Sequence, residues 1–151
     1  MKPKQSLKRN EKKWGAAVMK CGWTAIPNIL LEKQHALSLR PVDLCVLLQL
    51  MKCWWDAERP PFPSKERIGK AIDCSPRTVQ RSTAYIESLG LLDRRKRPGP
   101  MGTNDYHFDK LVEKLKPYAL EALVERDSVA KQKEERMARK KARLQLVGTD
   151  D

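Results

Sequence analysis

Two arginines four residues apart, Arg77 and Arg81, are well suited to bind anions or base edges. If residues 76–89 form a helix, both arginines lie opposite an apolar face made by Val79, Ile86 and Leu89. Polar side chains flank them on the helix: Thr78, Gln80 and Tyr85. Guanidinium and amide groups read guanine and adenine edges or hold phosphates. The face is therefore predicted to contact nucleic acid, and an ordinary solvated polar face is the alternative.

The starts of this helix and of the one before it offer further anion contacts. Ser75 stands before Pro76 and Ser64 before Lys65, positions where a serine caps a helix and proline begins one. Backbone amides at a helix N-terminus attract phosphate. We therefore add Ser64, Lys65 and Ser75 to the predicted nucleic-acid contacts.

A block of four basic residues, Arg94, Arg95, Lys96 and Arg97, follows the helix. Side chains alternate along a strand, so only half of these four can face one side. We interpret the block as a basic strand that contacts the nucleic-acid backbone or minor groove. The alternative is a charged strand edge that protects against aggregation.

The elements that must position these side chains can be predicted from the same sequence. A helix that begins after Ser38 or Arg40 and ends before Arg59 is apolar nearly all round, which is typical of a central core helix. A second helix, residues 65–72, should bury Ile68, Ala71 and Ile72. The helix over 76–89 then ends at Gly90, which is suited to a left-handed stop. A strand, a loop rich in proline and glycine, and a second strand follow, and they predict a hairpin over residues 91–108.

The two ends of the chain are predicted to be helical in part. Residues 1–20 form a basic arm with a short helix around Trp14 to Met19, and a helical turn follows at residues 27–31. After Asp109 we expect a short helix, a break at Pro117 and a charged helix. That last helix carries an apolar patch: Tyr118, Leu120, Leu123 and Val124. The patch packs either on the chain's own core helix or on a second copy, and we favour a homodimer.

The predicted order of elements is two short helices joined by a tight turn and then a hairpin. This order is typical of a winged helix-turn-helix. The residues from Phe62 to Ala71, from Ser75 to Arg81 and from Ile86 to Leu92 resemble the bacterial winged helix-turn-helix family of transcription regulators and of phage and plasmid replication initiators. The resemblance covers Trp23 to Phe108 and implies a DNA-binding domain. Ser82 and Thr83 stand where such helices often carry an apolar residue, so looser packing is expected there.

We thus predict a mainly α fold with a small β-hairpin wing and a long C-terminal helix. The predicted boundaries are a basic arm over 1–20, a winged helix-turn-helix domain over 21–109 and a charged helical extension over 110–151.

Composition agrees with a polyanion as the partner. The 151 residues carry a net charge of +12, which attracts nucleic acid or an acidic membrane. No stretch is apolar enough for a membrane span or a signal peptide, so we expect a cytoplasmic protein. The four cysteines form no C-x-x-C pair, and with two histidines in the sequence we expect reduced, packed cysteines, no metal site and no cofactor. No catalytic motif is present either, so we do not expect an enzyme.

Three functional hypotheses remain open at this point. The first is a sequence-specific transcription regulator that binds double-stranded DNA as a homodimer. The second is a plasmid or phage replication-initiation or mobile-element protein, and the third is a structural subunit of a nucleoprotein complex.

Overall fold

The computed structural model describes residues 3–100 and 102–147, which form seven helices and one two-stranded hairpin. The helices are α1 (Pro3–Trp14), α2 (Ala16–Lys20), α3 (Asn28–Glu32), α4 (Pro41–Lys52), α5 (Lys65–Ile72), α6 (Pro76–Ser88) and α7 (Asp109–Val147), and the strands are β1 (Asp93–Lys96) and β2 (Asn104–His107). The predicted mainly α fold with a hairpin and a long C-terminal helix is confirmed.

The hydrophobic core is centred on α4, as its apolar sequence predicts. Val46, Leu47 and Leu50 of this helix have no solvent exposure. One or two buried side chains come from each of α3, α5, α6, β2 and α7: Leu30, Ile68, Val79, Ile86, Tyr106, Leu111 and Leu115. The connecting segments add Leu91, Leu92 and Phe108. Because Leu111 and Leu115 belong to α7, the core continues into the first turns of the C-terminal helix.

The turn between α5 and α6 is tight, and its backbone explains the sequence there. The Ser64 and Ser75 hydroxyls accept hydrogen bonds from the amides of Arg67 and Thr78, and so cap the two helices as predicted. Asp73 ends α5 in a left-handed conformation with φ of 52°. The chain then passes so close to α5 that a Cβ at Gly69 would overlap the Cys74 carbonyl oxygen.

The hairpin follows α6 directly. Gly90 has φ of 69° and stops the helix in the predicted left-handed conformation. β1 and β2 pair antiparallel, with Arg94 opposite Tyr106 and Lys96 opposite Asn104. The Tyr106 amide also donates to the Pro61 carbonyl at 3.0 Å, so the proline-rich segment lies at the edge of the hairpin.

Several local predictions were wrong. Of the three residues expected to be buried in α5, Ile68 is buried, Ile72 is half-buried and Ala71 is exposed. The buried face of this helix includes Gly69 instead. The helix expected at Trp14 to Met19 is divided at Gly15, whose φ is 83°, into α1 and α2.

The break expected at Pro117 is absent, since α7 continues through it. Proline at this position removes the amide that would bind the Glu113 carbonyl. Both residues are exposed, so water can replace that hydrogen bond.

The four cysteines are free, as expected, but they are not all packed: Cys21 and Cys45 are exposed, and Cys53 and Cys74 are half-buried. Over the described residues no group of histidine, cysteine or acidic side chains could hold a metal ion. No helix in the described ranges is long and apolar enough to cross a membrane.

Candidate nucleic-acid interface

The outer face of α6 carries Arg77, Gln80 and Arg81, all three exposed. The opposite face is buried through Val79 and Ile86, so the predicted division of the helix into two faces is correct. Lys65 of α5 extends this outer face, because its Nζ lies 3.4 Å from Gln80 Oε1. Within the described chain neither arginine forms an ion pair or a side-chain hydrogen bond, so both guanidiniums are available to a ligand.

The serine hydroxyls beside this face are already used inside the protein. Ser64 Oγ accepts from the Arg67 amide at 3.2 Å, and Ser75 Oγ accepts from the Thr78 amide at 3.1 Å. Ser75 Oγ also lies 3.0 Å from Thr78 Oγ1. Any contact of these residues with a ligand must therefore share a hydroxyl that already caps a helix.

A buried carboxylate, Asp43, joins α4 to α6. Its Oδ1 accepts from Ser82 Oγ at 2.7 Å, and its two oxygens accept from the Arg40 guanidinium at 2.6 and 2.9 Å. The Arg40 amide donates to Oδ2 at 3.1 Å. Burial alone would raise the pKa of Asp43, but the hydrogen bonds from Arg40 and Ser82 outweigh it and the pKa is lowered.

The looser packing expected at Ser82 and Thr83 does not occur. Both side chains are buried, and each hydroxyl has a partner. Ser82 binds Asp43, and Thr83 Oγ1 donates to the Gln80 carbonyl at 3.0 Å. A buried hydroxyl that is hydrogen-bonded avoids the cost of losing water. On the buried face of α6, hydrogen bonds of Ser82 and Thr83 therefore take the place of apolar packing.

Tyr85, which flanks the outer face, forms contacts with the loop before α4. Its hydroxyl donates to the Ser38 carbonyl at 3.0 Å, and the Arg40 guanidinium stacks over its ring at 4.2 Å. Together with the Asp43–Ser82 bond, these contacts fix α6 to the start of α4 at two points one helical turn apart.

The four basic residues of the hairpin are in different surroundings. Arg94 forms an ion pair with Glu87 of α6 at 2.5 Å, and its hydrogen bond lowers the pKa of Glu87. Arg95 pairs with Asp93 at 3.2 Å on the surface. Lys96 is exposed, whereas the Arg97 guanidinium lies 3.7 Å from the centre of the Phe62 ring.

Residues 37–92 match the model of the helix-turn-helix domain family. This range includes α4, α5 and α6, whose order and tight turn are described above. Over this range the chain is similar to helix-turn-helix domains. With the hairpin that follows, the domain has the winged form that the sequence predicted.

The chain also shows similarity at low identity to several solved structures. A possible transcriptional regulator from Methanosarcina mazei Go1 is 17% identical over 67% of this chain and 81% of its own, with a TM-score of 0.43. The YusO protein from Bacillus subtilis is 17% identical over 99% of both chains, with a TM-score of 0.44. MarR is 17% identical over 78% of this chain and 87% of its own, with a TM-score of 0.42. A comparison with curated proteins finds no match.

Two residues that organise the helix-turn-helix domain were missed in the sequence. Asp43 was not predicted to be buried, although Arg40-Pro41 and an acid three residues later are a recognisable helix start. Glu87 was not paired with Arg94, because nothing local in the sequence brings the end of α6 against β1.

Proposed function

We propose that this protein binds double-stranded DNA in a sequence-specific manner as a transcription regulator and has no catalytic role. In this proposal α6 enters the major groove and the hairpin lies along the DNA backbone. The observation that supports it is the exposed face of Arg77, Gln80 and Arg81, on a helix anchored from behind by Asp43. A rigid helix with free guanidiniums is able to hold bidentate contacts to guanine.

The net charge of +12 supports the same partner. Positive charge attracts DNA over long distances and releases its counterions on binding. Lys65 adds a cation beside Gln80, where the DNA backbone would flank the major groove.

The decisive experiment is selection of bound sequences from a random pool of DNA duplexes, followed by affinity measurements on the selected site. We expect Arg77→Ala and Arg81→Ala each to cost about 1–3 kcal/mol on that site and to relax base preference locally. Arg126→Ala, which removes an exposed arginine from α7, is the matched control and should leave affinity within about twofold, well below the effect of a base contact. Unchanged affinity and specificity in both α6 variants would refute the assignment.

The hairpin is proposed to contact phosphates mainly through Arg95 and Lys96. Arg94 and Arg97 remain predicted contacts, although each already has a partner in Glu87 and Phe62. The exposed ion pair between Arg95 and Asp93 is worth little, so Arg95 can exchange it for phosphate. Replacing Arg95 and Lys96 by alanine should weaken binding to all sequences alike. The slope of log K against log salt should fall by about 0.9 per lost phosphate contact, and an unchanged slope would exclude the hairpin from the backbone.

We also propose that the protein is a homodimer paired through α7. Tyr118 packs against the core and lies 5.5 Å under Lys33, so it is not part of a free patch. Leu120 and Val124 lie one turn apart and are 65% and 70% exposed, an arrangement suited to a self-complementary two-fold contact.

Sedimentation of the Leu120→Glu, Val124→Glu double variant tests this interface and should give a folded monomer. Met137→Glu, farther along the same helix, should leave the dimer intact because the apolar positions become sparse there. If the double variant stays dimeric, the interface lies elsewhere. A two-fold footprint on DNA fits a dimeric regulator, whereas direct repeats fit a replication initiator.

A further inference from the structure

A groove beside the hairpin tip is lined by aromatic and basic side chains. It has two adjoining parts of about 470 and 330 Å³, and Phe62, Pro63 and Arg67 line both of them. The hairpin loop and Arg97 also line the larger part, and Trp55 and Arg59 also line the smaller one. We call this surface the stacking groove.

Two aromatic rings of the stacking groove are exposed to solvent. Trp55 is 80% exposed and Phe62 is 49% exposed. The neighbouring Trp54 differs, since it packs on Phe108 with ring centres 4.8 Å apart. Large exposed aromatic surfaces of this kind mark binding sites more often than they serve the fold.

The charge of the groove restricts what can occupy it. Four cationic side chains line it: Lys52, Arg59, Arg67 and Arg97. No acidic side chain is among its described lining residues, although Asp56 and Glu58 stand in the same loop as Arg59. Arg97 is stacked 3.7 Å over the Phe62 ring, so a cation and a π face are presented together.

We propose that the stacking groove binds single-stranded DNA. Unpaired bases stack on exposed aromatic rings and on planar guanidiniums, while the surrounding cations hold the phosphates. In a duplex the bases are stacked on each other and offer no free face to Trp55. The proposal rests on the proposed function only in that DNA is the ligand, and it adds a second site to the α6 face.

The position of the groove suits an unpaired segment next to a duplex site. Ser64, which lines the larger part, caps α5, and the adjacent Lys65 reaches Gln80 on α6 at 3.4 Å. A strand that leaves the duplex near Lys65 would therefore enter the groove directly. The same arrangement would let the protein bind a duplex at a place where its strands are opened.

The test uses the full chain and a fluorescein-labelled oligothymidylate of about 12 nucleotides, a length within usual site sizes. Binding is followed by anisotropy. Trp55→Ala should weaken oligonucleotide binding about 5- to 150-fold, as loss of one stacked base predicts, and Trp55→Phe should restore most of it. The fold should not change, because Trp55 is exposed.

Trp14→Ala is the matched control. It removes another exposed tryptophan beside a lysine, with Lys13 5.3 Å from its ring, and it should leave oligonucleotide binding unchanged. An equal loss in both variants, or no loss in Trp55→Ala, would overturn the proposal. So would a loss in Trp55→Ala that is confined to duplex DNA.

Arg77→Ala separates the two proposals. It should weaken binding to the selected duplex and leave oligothymidylate binding unchanged. If duplex binding proves absent while the Trp55 effect on single strands persists, the proposed function fails and the stacking groove stands. If single strands do not bind while the Arg77 effect on the duplex persists, the stacking groove proposal fails and the proposed function stands.

Discussion

Asp43→Asn tests whether the buried carboxylate fixes α6 on the domain. The side chain keeps its size, so the core is not opened. The amide oxygen can still accept from Ser82 in the place of Oδ1. At the place of Oδ2, however, an amide NH₂ would face two donors, the Arg40 amide and Nε, now 3.1 and 2.6 Å away.

The expected cost follows from the bonds that Asn cannot make. Hydrogen bonds to a charged group are worth about 1.5–3 kcal/mol each, and a buried donor left without a partner costs about 1–3 kcal/mol. The Arg40 side chain is 55% exposed, so its guanidinium can reorient toward the solvent and be hydrated. Only the unpaired Arg40 amide and the loss of the carboxylate charge therefore contribute fully to the cost in stability. We expect the free energy of unfolding to fall by about 2–4 kcal/mol.

Urea unfolding followed by far-UV circular dichroism measures this change. With a slope of about 2 kcal/mol per molar urea, the midpoint should fall by about 1–2 M at unchanged slope. Glu113→Gln is the control, because it breaks an ion pair with Lys116 of similar length, 2.5 Å, on the exposed surface. That variant should cost no more than about 0.5 kcal/mol.

A double-mutant cycle checks that Ser82 acts through Asp43. Ser82→Ala should cost about 1.5–3 kcal/mol in the natural chain, because it removes a hydrogen bond to a charged group. It should cost clearly less in Asp43→Asn, where the bond is to a neutral amide. Additive costs would refute the coupling between the two residues. A cost of Asp43→Asn no larger than that of Glu113→Gln would refute the reasoning about burial as a whole.

Two further predictions concern the turn and the pH dependence of stability. Gly69→Ala should cost about 1–3 kcal/mol because its methyl group meets the Cys74 carbonyl oxygen, whereas Lys70→Ala, exposed on the same helix, should stay within about 0.5 kcal/mol in urea unfolding. The pKa values of Asp43 and Glu87 are lowered by folding, so the unfolded chain binds protons more readily. Their contribution is therefore complete above about pH 5 and is lost as pH falls through the folded pKa values. The urea midpoint of the natural chain should decrease as the pH is lowered below about 4, and that of Asp43→Asn should decrease less steeply. An equal decrease with pH in both proteins would show that Asp43 does not contribute to the pH dependence.

The helices and the hairpin could be predicted because their signals are local. Ser64 and Ser75 mark helix starts, Gly90 marks a stop, and the Pro98 to Asn104 segment marks the hairpin turn. Each of these depends on a few neighbouring residues and on backbone preferences that act at short range. The two faces of α6 follow in the same way from the spacing of Arg77, Arg81 and the apolar residues.

The contacts that orient α6 could not be predicted, since their partners are far apart in the chain. Ser82 and Asp43 are 39 residues apart, and Tyr85 and the Ser38 carbonyl are 47 apart. Periodicity indicates which side of a helix is buried but not what lies opposite. For this reason neither the bond of Ser82 to Asp43 nor that of Tyr85 to the Ser38 carbonyl was predicted.

The long-range contacts also decide which basic side chains are already paired inside the domain and which are free for the proposed DNA ligand. Arg94 faces inward because β1 runs beside the end of α6. There the Glu87 carboxylate accepts hydrogen bonds from the Arg94 guanidinium. Arg77 and Arg81 point outward because Ser82 and Thr83, on the other side of α6, are satisfied inside the domain. A helix held only by apolar contacts could rotate slightly at little cost. One tied by directional bonds to a fixed carboxylate keeps its arginines in one register, which is what bidentate recognition of a base requires.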